Sequence, residues 1–308
     1  MLKILIILIR FPGGVGTSNK EIAEVLRKKG HKVDFLSRED DLGIYSFKSS
    51  IFPIRKRVQE LMVKNNYDII YSQDHSMTLP LLIPYPLYPD QVFHACIGIK
   101  RSGTQKIIQY LVGRVMNKKT IVINDYNHKR FPKSHLVYRG VNLKRFKPLG
   151  KKRVCLGWIN KFSEQLDSKI YKKIAKEVGL KPIYAGGSGK SKSTDKAYGK
   201  TIIHSFDKIP DDKMNEFYNK CKVFVNCPTS DAGFNLSWLE AMSSGVKIII
   251  GNEEGAGKIL PIYKVNSPSE IKEIVETHKK DFDYRKWIID NDFTWENCVK
   301  KLIKIFEK

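Results

Sequence analysis

The stretch that decides the predicted fold is residues 223–246, which read VFVNCPTSDAGFNLSWLEAMSSGV. Its apolar start predicts a buried strand, its polar middle a loop, and the apolar spacing after Asn235 a helix. Asn235 is a favourable N-cap residue, and Gly233 allows the backbone to approach a ligand closely. The first turn of such a helix offers unpaired N–H groups and the positive end of the helix dipole. The stretch therefore predicts an anion site where the helix begins.

Glu240 adds a second feature to this predicted site. It follows Leu236 by one helical turn, so the two side chains project from the same face. A phosphate bound at the helix start would leave the Glu240 carboxylate near a hydroxyl group of an adjoining sugar. The alternative is an ordinary capped helix with an exposed glutamate.

The rest of the chain alternates short apolar strands with amphipathic helices, which predicts parallel, doubly wound sheets. The alternation runs through residues 2–139 and restarts over 153–250, with a linker at 146–152. We therefore expect an α/β chain with two Rossmann-like domains facing a ligand cleft, over residues 1–148 and 149–293.

A glycine-rich turn follows the first predicted strand. Gly14 and Gly16 precede Ser18 and Glu21, which have the spacing of a capping box. A capping box marks a helix N-terminus, so the first helix is expected to begin at Ser18.

The composition is that of a globular protein with a large basic excess. Its 308 residues, 42% of them apolar and 28% charged, exclude a disordered or fibrous chain. The net charge is +23, and residues 1–148 carry 26 basic and 11 acidic side chains. This charge favours an anionic partner, although solvated surface lysines are the alternative. Five scattered cysteines without a Cys-x-x-Cys pair fit a reducing cytosol rather than disulfides or a zinc site.

Several motifs of the chain resemble, in order and spacing, those of retaining GT-B glycosyltransferases of the family-4 type, also called glycosyl transferases group 1. Residues 223–246 resemble the donor-binding motif, in which the second of two glutamates, eight residues apart, precedes Ala-Met and Gly-Val. The other matching segments are 13–16 with 29–33, 67–74, 93–95, 138–148 and 209–218. The resemblance implies a GT-B fold in which the C-terminal helix, 294–308, packs back on the N-terminal domain.

The resemblance also implies an activity. Such a protein is a Leloir-type hexosyltransferase that moves a sugar from a UDP- or GDP-sugar to a glycan or lipid-linked acceptor, with retention of configuration. The N-terminal domain would hold the acceptor and the C-terminal domain the donor. No cofactor is required, since the nucleotide sugar is a substrate.

The resemblance assigns roles to individual residues, with Glu240 holding the nucleotide ribose and His94, expected at a strand end, contacting the sugar. Asp74 and His75 at another strand end are further candidates. The catalytic candidates are His94, Asp231 and Glu240. The donor-binding candidates are Gly14, Gly16, Arg139, Lys161, Gly233, Phe234, Asn235, Leu236 and Glu240.

Two positions depart from the family pattern. Ala232 stands where the family has its first glutamate, with Asp231 beside it, and Trp158 stands where the family has an arginine for the donor diphosphate. Lys161 is the nearest replacement cation, with Arg139 or Arg101. These departures keep open a catalytically inactive GT-B-like protein that binds a nucleotide or a glycan. A basic nucleic-acid-binding protein and a GT-B epimerase or phosphorylase also stay open.

No metal site is expected, because the Asp-x-Asp pairs at 281–283 and 290–292 read as helix caps. Basic amphipathic helices are predicted at 54–65 and 104–117. They either pack on the sheet in the ordinary way or dock on an anionic membrane. No apolar run reaches the length of about 18 residues typical of a membrane span. The expected location is the cytoplasm, peripheral on the cytoplasmic membrane face.

Overall fold

The computed structural model describes residues 1–11, 13–98, 103–159, 168–185, 213–227, 234–253, 255–278 and 282–308. Contacts divide the chain into two compact units. The first unit contains residues 1–140 together with 295–308, and the second contains residues 141–294. The division follows Gly140, ahead of the boundary expected at 148, and the C-terminal helix belongs to the first unit.

The first unit is a parallel sheet covered by helices. Its strands are β1 (Lys3–Leu8), β2 (Lys32–Ser37), β3 (Ile69–Gln73), β4 (Val92–Cys96), β5 (Thr120–Val122) and β6 (His135–Leu136). They lie in the order β2-β1-β3-β4-β5-β6 and pair in parallel. Its helices are α1 (Gly14–Lys28), α2 (Phe47–Asn65), α3 (His75–Leu82), α4 (Gly103–Met116), α5 (Asp125–Arg130) and α11 (Trp295–Phe306), with a 3₁₀ turn at Asn117–Lys119.

The helices of the first unit cover both faces of its sheet. α2, α3 and α4 share one core with the strands, to which they contribute Ile54, Leu81 and Val112 respectively. On the opposite face, the ring of Phe306 in α11 lies 5.4 Å from that of Tyr71 and 5.0 Å from that of Phe93. The end of the chain therefore completes the core of the first unit.

The second unit is also a parallel sheet. Its strands are β7 (Cys155–Ile159), β8 (Lys181–Ala185), β9 (Cys221–Val225), β10 (Ile248–Gly251) and β11 (Tyr263–Lys264), in the order β11-β10-β9-β7-β8. Its helices are α6 (Ser168–Glu177), α7 (Met214–Lys220), α8 (Leu236–Ser243), α9 (Ser269–Thr277) and α10 (Tyr284–Asp290), with a 3₁₀ turn at Gly255–Lys258. The two parallel α/β sheets confirm the predicted fold class. Within the segment 153–250, where strands and helices are expected to alternate, residues 186–212 lie outside the described residues.

The two basic amphipathic stretches pack differently from each other. In α2 the apolar residues Ile54, Val58 and Met62 are buried against the sheet, and Arg55 is buried as well, donating to the carbonyls of Ile83 and Tyr85 at 2.9 Å. α2 is therefore an ordinary sheet-packing helix along this side.

α4 is apolar on two sides. Val112 and Met116 are buried, but Ile107, Leu111 and Val115 are 60%, 55% and 65% exposed. The three exposed residues follow one another at intervals of four, so they form a stripe along the outer side of the helix. We call Ile107, Leu111 and Val115 the α4 stripe. Among the described helices, none has the length and apolarity that crossing a membrane requires.

The first helix begins earlier than its capping box predicts. α1 starts at Gly14, after Gly13 with φ 99°. Ser18 Oγ instead donates to the Gly14 carbonyl at 2.8 Å, as a residue inside a helix does. The expected start at Ser18 is wrong because a glycine with positive φ lets the chain turn into the helix one turn sooner.

Gly16 allows the first turn of α1 to lie against the chain after β1. A Cβ atom on Gly16 would stand 1.7 Å from the Phe11 carbonyl oxygen, whereas a Cβ on Gly14 would meet no atom within 4 Å. Gly16 is therefore required by packing, and Gly14 is not.

His94 is the third of the five residues of β4 and is fully buried. Its Nδ1 lies 2.8 Å from Thr78 Oγ1 on α3. Burial lowers the pKa of His94 to about 4, because the charged imidazolium would lose its hydration, and the Asp74 carboxylate offsets only part of this effect. His94 is therefore a neutral core residue at pH 7.

The Gly16→Ala variant is expected to lose about 2 kcal/mol or more of unfolding free energy, because the Phe11 backbone must move. Gly14→Ala is the matched control and is expected to be neutral or slightly stabilising, since alanine favours a helix. Urea unfolding of both variants checks this. Equal stability of the two variants would contradict the packing role of Gly16.

His94 is expected to make stability depend on pH. The unfolded chain binds the His94 proton near the ordinary pKa of 6.5 and the folded chain only near 4, so stability falls as the pH falls through this window. The loss amounts to roughly 3 kcal/mol at most. Urea unfolding of the wild type and His94→Asn between pH 7 and pH 4 measures it. The wild type should lose more stability than the variant, and parallel pH profiles would refute the assignment.

Candidate active site

The predicted anion site lies at the start of α8. Asn235 holds the N-cap position with an extended backbone, φ −83° and ψ 93°, as expected. Its side chain makes no capping bond, and its Nδ2 is buried without a partner among the residues that the structure describes. The first turn of a helix presents backbone N–H groups and a positive dipole end, both of which favour an anion.

The start of α8 is fixed against the end of β9 by Trp238. The indole is buried, and its Nε1 donates to the Asn226 carbonyl at 3.1 Å. The Asn226 side chain in turn donates to Ser237 Oγ at 2.6 Å. Gly251 on β10 leaves room for the indole, since a Cβ there would stand 2.6 Å from Trp238 Cζ2. These contacts position the first turn of α8 on the rigid end of the sheet.

Glu240 projects from α8 and is partly buried. Its Oε2 accepts a hydrogen bond of 2.7 Å from the hydroxyl group of Tyr218 on α7. Burial, and then the Glu240 carboxylate, raise the pKa of Tyr218 well above its ordinary value, so the phenol is the donor. The carboxylate is therefore held in one orientation.

Two further donor candidates flank the N-cap, and three others fall outside the described residues. Phe234 is half-buried and stacks on Phe293 with ring centroids 6.3 Å apart, and Leu236 is the first residue of α8. The candidates Lys161, Asp231 and Gly233 lie outside the described residues.

Trp158, at the position where the resemblance implies an arginine, is a core side chain. It is buried in β7, with its ring 5.4 Å from that of Tyr171 and 5.6 Å from that of Tyr184. The position therefore supplies packing to the sheet and no charge to a ligand.

The candidates of the first unit divide between exposed and buried positions. Gly14 is exposed at the start of α1, and Gly16 is buried against Phe11. Arg139 is buried beside Tyr71 and Cys298, a placement that does not favour contact with a diphosphate. These three donor assignments remain predictions.

The sequence predicts His94 at a strand end, but the structure places it elsewhere. It occupies the middle of β4 and contacts α3, because the strand continues through two further residues. A contact between a bound sugar and this buried ring is not favoured by its position. The catalytic role given to His94 is untested.

Asp74 and His75 do follow the last residue of β3. Asp74 caps α3, accepting from Ser76 N at 3.1 Å, and its Oδ1 lies 2.6 Å from His75 Nδ1. Burial alone would raise the pKa of Asp74, but the hydrogen bond and charge of His75 outweigh it and lower that pKa. The Asp74 backbone, at φ 74° and ψ 156°, occupies a region that is nearly restricted to glycine, as is typical of residues at functional sites.

The expected helix caps are found in part. Asp283 is the N-cap of α10 and accepts from Lys286 N at 2.9 Å. The described residues contain no group of three or more His, Cys, Asp or Glu side chains that could hold a metal ion. The absence of a required metal stays a prediction.

Three side chains that support Glu240 and α8 were not predicted from the sequence: Tyr218, Asn226 and Trp238. Tyr218 lies in a segment that resembles the family, but no role was predicted for it, nor for Asn226 or Trp238. Their contacts span 22, 11 and 12 residues of sequence. A polar or aromatic side chain within an otherwise apolar, buried pattern was the available signal.

Comparisons with known proteins give matches in structure alone. The sequence matches no family model and no curated protein. Sucrose-phosphate synthase (tll1590) from Thermosynechococcus elongatus is similar with a TM-score of 0.76 and 14% identity, covering 100% of this chain and 98% of that one. A glycosyltransferase from Rickettsia africae ESF-5 has a TM-score of 0.73 and 14% identity, with coverage of 99% and 98%.

A third similar structure is Anabaena Alr3699/HepE, with a TM-score of 0.69 and 13% identity over the whole of both chains. Identities at this level carry the fold and leave the activity to be argued from the site. With two parallel α/β sheets and these neighbours, the chain has the GT-B glycosyltransferase fold.

Proposed function

We propose that the chain is a retaining hexosyltransferase that moves a sugar from a nucleoside-diphosphate sugar to an acceptor. The observation that carries the proposal is the start of α8, where the N-cap Asn235 precedes Glu240 and Tyr218 fixes the Glu240 carboxylate. A diphosphate at the helix start would bring the ribose hydroxyl groups within reach of this carboxylate. The HepE structure is a complex with UDP and glucose, which supports a uridine nucleotide as the first donor to test.

In this reaction the site must stabilise the leaving group, which is the nucleoside diphosphate. When the bond between the anomeric carbon and the phosphate oxygen breaks, its electron pair stays on the diphosphate. Preorganised N–H donors and the α8 dipole lower the energy of this developing charge. Lys161 would add a cation, and Asp231 would contact the donor sugar. We propose that the reaction needs neither a metal ion nor another cofactor.

One observation favours a second candidate, a GT-B-like protein that binds a nucleotide or a glycan without turnover. Where the resemblance implies an arginine for the diphosphate, the chain has Trp158, which is uncharged and buried in the core. Such a protein would bind a nucleoside diphosphate and release no product from its sugar conjugate. Assay of product formation, with and without EDTA, separates the two candidates and tests metal independence.

The acceptor proposal is a glycan or a lipid-linked sugar, with the protein in the cytoplasm and peripheral on an anionic membrane. The α4 stripe supports membrane docking, because three exposed apolar residues lie along one side of a helix. Lys106 and Arg114 share this helix, which has no acidic residue, and α2 has one, Glu60. A helix that carries both an exposed apolar stripe and cations suits an anionic bilayer, whereas a nucleic acid backbone would contact only the cations.

The Glu240→Ala variant is expected to weaken nucleotide binding by roughly 10- to 100-fold, as expected for loss of a charged hydrogen-bonding partner. A thermal-shift panel with UDP, GDP and ADP measures this, since a ligand that binds only the folded state raises its stability. Glu216→Ala, which removes a partly exposed glutamate of α7, is the control and should bind like the wild type. The absence of a shift with any nucleotide at millimolar concentration would sink the transferase proposal.

The wild type is expected to sediment with vesicles that contain phosphatidylglycerol, less so at high salt, and not with phosphatidylcholine alone. Leu111→Gln with Val115→Gln should reduce this binding about tenfold. Ile289→Gln is the control, because Ile289 is an exposed apolar residue (51%) of the second unit. The alternative is that a second copy of the chain packs on the α4 stripe. Light scattering in solution tests this by measuring the molecular mass. A dimer abolished by the same substitutions, without vesicle binding, would replace the membrane proposal.

A further inference from the structure

We infer that Tyr218 is a positioning residue, which orients the Glu240 carboxylate for recognition of the ribose hydroxyl groups of the donor. The inference rests on the proposed function, because it assigns Glu240 to the nucleotide. It adds a residue on a different helix, 22 positions earlier in the chain, to the donor site. Tyr218 itself is 0% exposed and would act only through Glu240.

The hydrogen bond leaves the carboxylate able to bind a ligand. A carboxylate has about four lone-pair positions on its two oxygens. The Tyr218 hydroxyl occupies one of these on Oε2, at 2.7 Å, and donates the only proton that it has. The bond therefore orients the carboxylate while taking only one of its acceptor positions.

Aromatic packing immobilises Tyr218. Its ring centroid lies 5.3 Å from that of Phe224 on β9, 5.5 Å from that of Phe217 and 6.0 Å from that of Phe146. With rings packed at these distances, the phenol oxygen has little freedom to move. A hydroxyl group held in this way transmits its position to the carboxylate that it contacts.

Two buried asparagines tie α7 to its surroundings. Asn219 accepts from Leu149 N at 2.8 Å and donates to the Lys147 carbonyl at 2.9 Å. Asn215 accepts from Ser244 Oγ at 2.9 Å, directly after the last residue of α8. α7 is therefore linked to the end of the helix that carries Glu240, so Tyr218 and Glu240 keep their relative positions.

Positioning has a consequence for affinity. A glutamate side chain without a partner samples several rotamers, and binding must select one of them at an entropic cost. A side chain that is already oriented avoids that cost, which is the general effect of preorganisation on affinity. The phenol stays protonated over the working pH range, because burial raises the pKa of Tyr218 well above its ordinary value. The effect should therefore not vary with pH near neutrality.

The test compares a nucleotide with its deoxy analogue. Calorimetry gives the Kd of UDP and of 2′-deoxy-UDP for the wild type and for Tyr218→Phe, with GDP or ADP and their analogues used if the nucleotide panel selects one of them. Tyr218→Phe keeps the ring and removes the hydroxyl group. We expect the Kd of the ribonucleotide to rise about three- to tenfold and that of the deoxy analogue to rise less. The Kd of the deoxy analogue divided by the Kd of the ribonucleotide measures ribose recognition. This ratio should therefore fall in Tyr218→Phe.

Two controls separate positioning from a structural effect. Tyr171→Phe removes another buried phenol hydroxyl from the second unit and should leave the ratio unchanged. In a Glu240→Ala background, Tyr218→Phe should have no further effect on the ratio, because the group through which it acts is gone. The melting temperature of each variant without ligand reports any loss of folding.

Each outcome supports or overturns the inference. A lower ratio in Tyr218→Phe alone, with both controls as expected, supports it. An unchanged ratio overturns it even if the Kd of every nucleotide rises, since a structural change weakens both ligands alike. In that case the proposed function still stands, because the wild type binds the nucleotide. If the wild type binds no nucleotide, the proposed function and the inference fail together.

Discussion

The candidate site at the start of α8 depends on a buried indole. Trp238 lies in the first turn of α8, where the helix must present its N–H groups at a fixed place, and it bonds to the Asn226 carbonyl at the end of β9. The indole fits only because β10 has a glycine, Gly251, at the point of contact. This contact, with the bond between Asn226 and Ser237, fixes the start of α8 against the sheet. Tyr218 then orients the Glu240 carboxylate on the same helix.

The strands and longer helices were predictable because their signals are local. Continuous apolar runs, such as the one in β1, are typical of parallel strands that are covered on both faces. The short helices gave no such signal. α3 has eight residues, is buried on nearly all sides and contains Pro80, so it shows no helical periodicity. α5 has only six residues. The early start of α1 is not predictable, because adjacent glycines such as Gly13 and Gly14 are typical of a loop. Gly14 is nevertheless the first residue of the helix.

The parts of the candidate site that lie on one helix were predictable from the sequence. The contacts between residues that are distant in the chain were not. Asn235 and Glu240 belong to one helix, so their spacing alone relates them. Tyr218 reaches Glu240 from another helix, which no local pattern describes. His94 was misplaced because apolar residues continue after it, so the sequence does not mark where β4 ends. The burial of Arg139 beside α11 depends on a helix more than 150 residues further along the chain.

The membership of α11 in the first unit has a consequence for biosynthesis. A ribosome makes the strands of the first sheet before the described strands of the second unit, and the helix that covers Tyr71 and Phe93 after both. Domains commonly fold in order as they emerge. Here the second unit can complete its core first, while the nascent first unit still exposes one aromatic face. Tyr71 and Phe93 gain their contacts with Phe306 only after α11 has left the ribosomal tunnel.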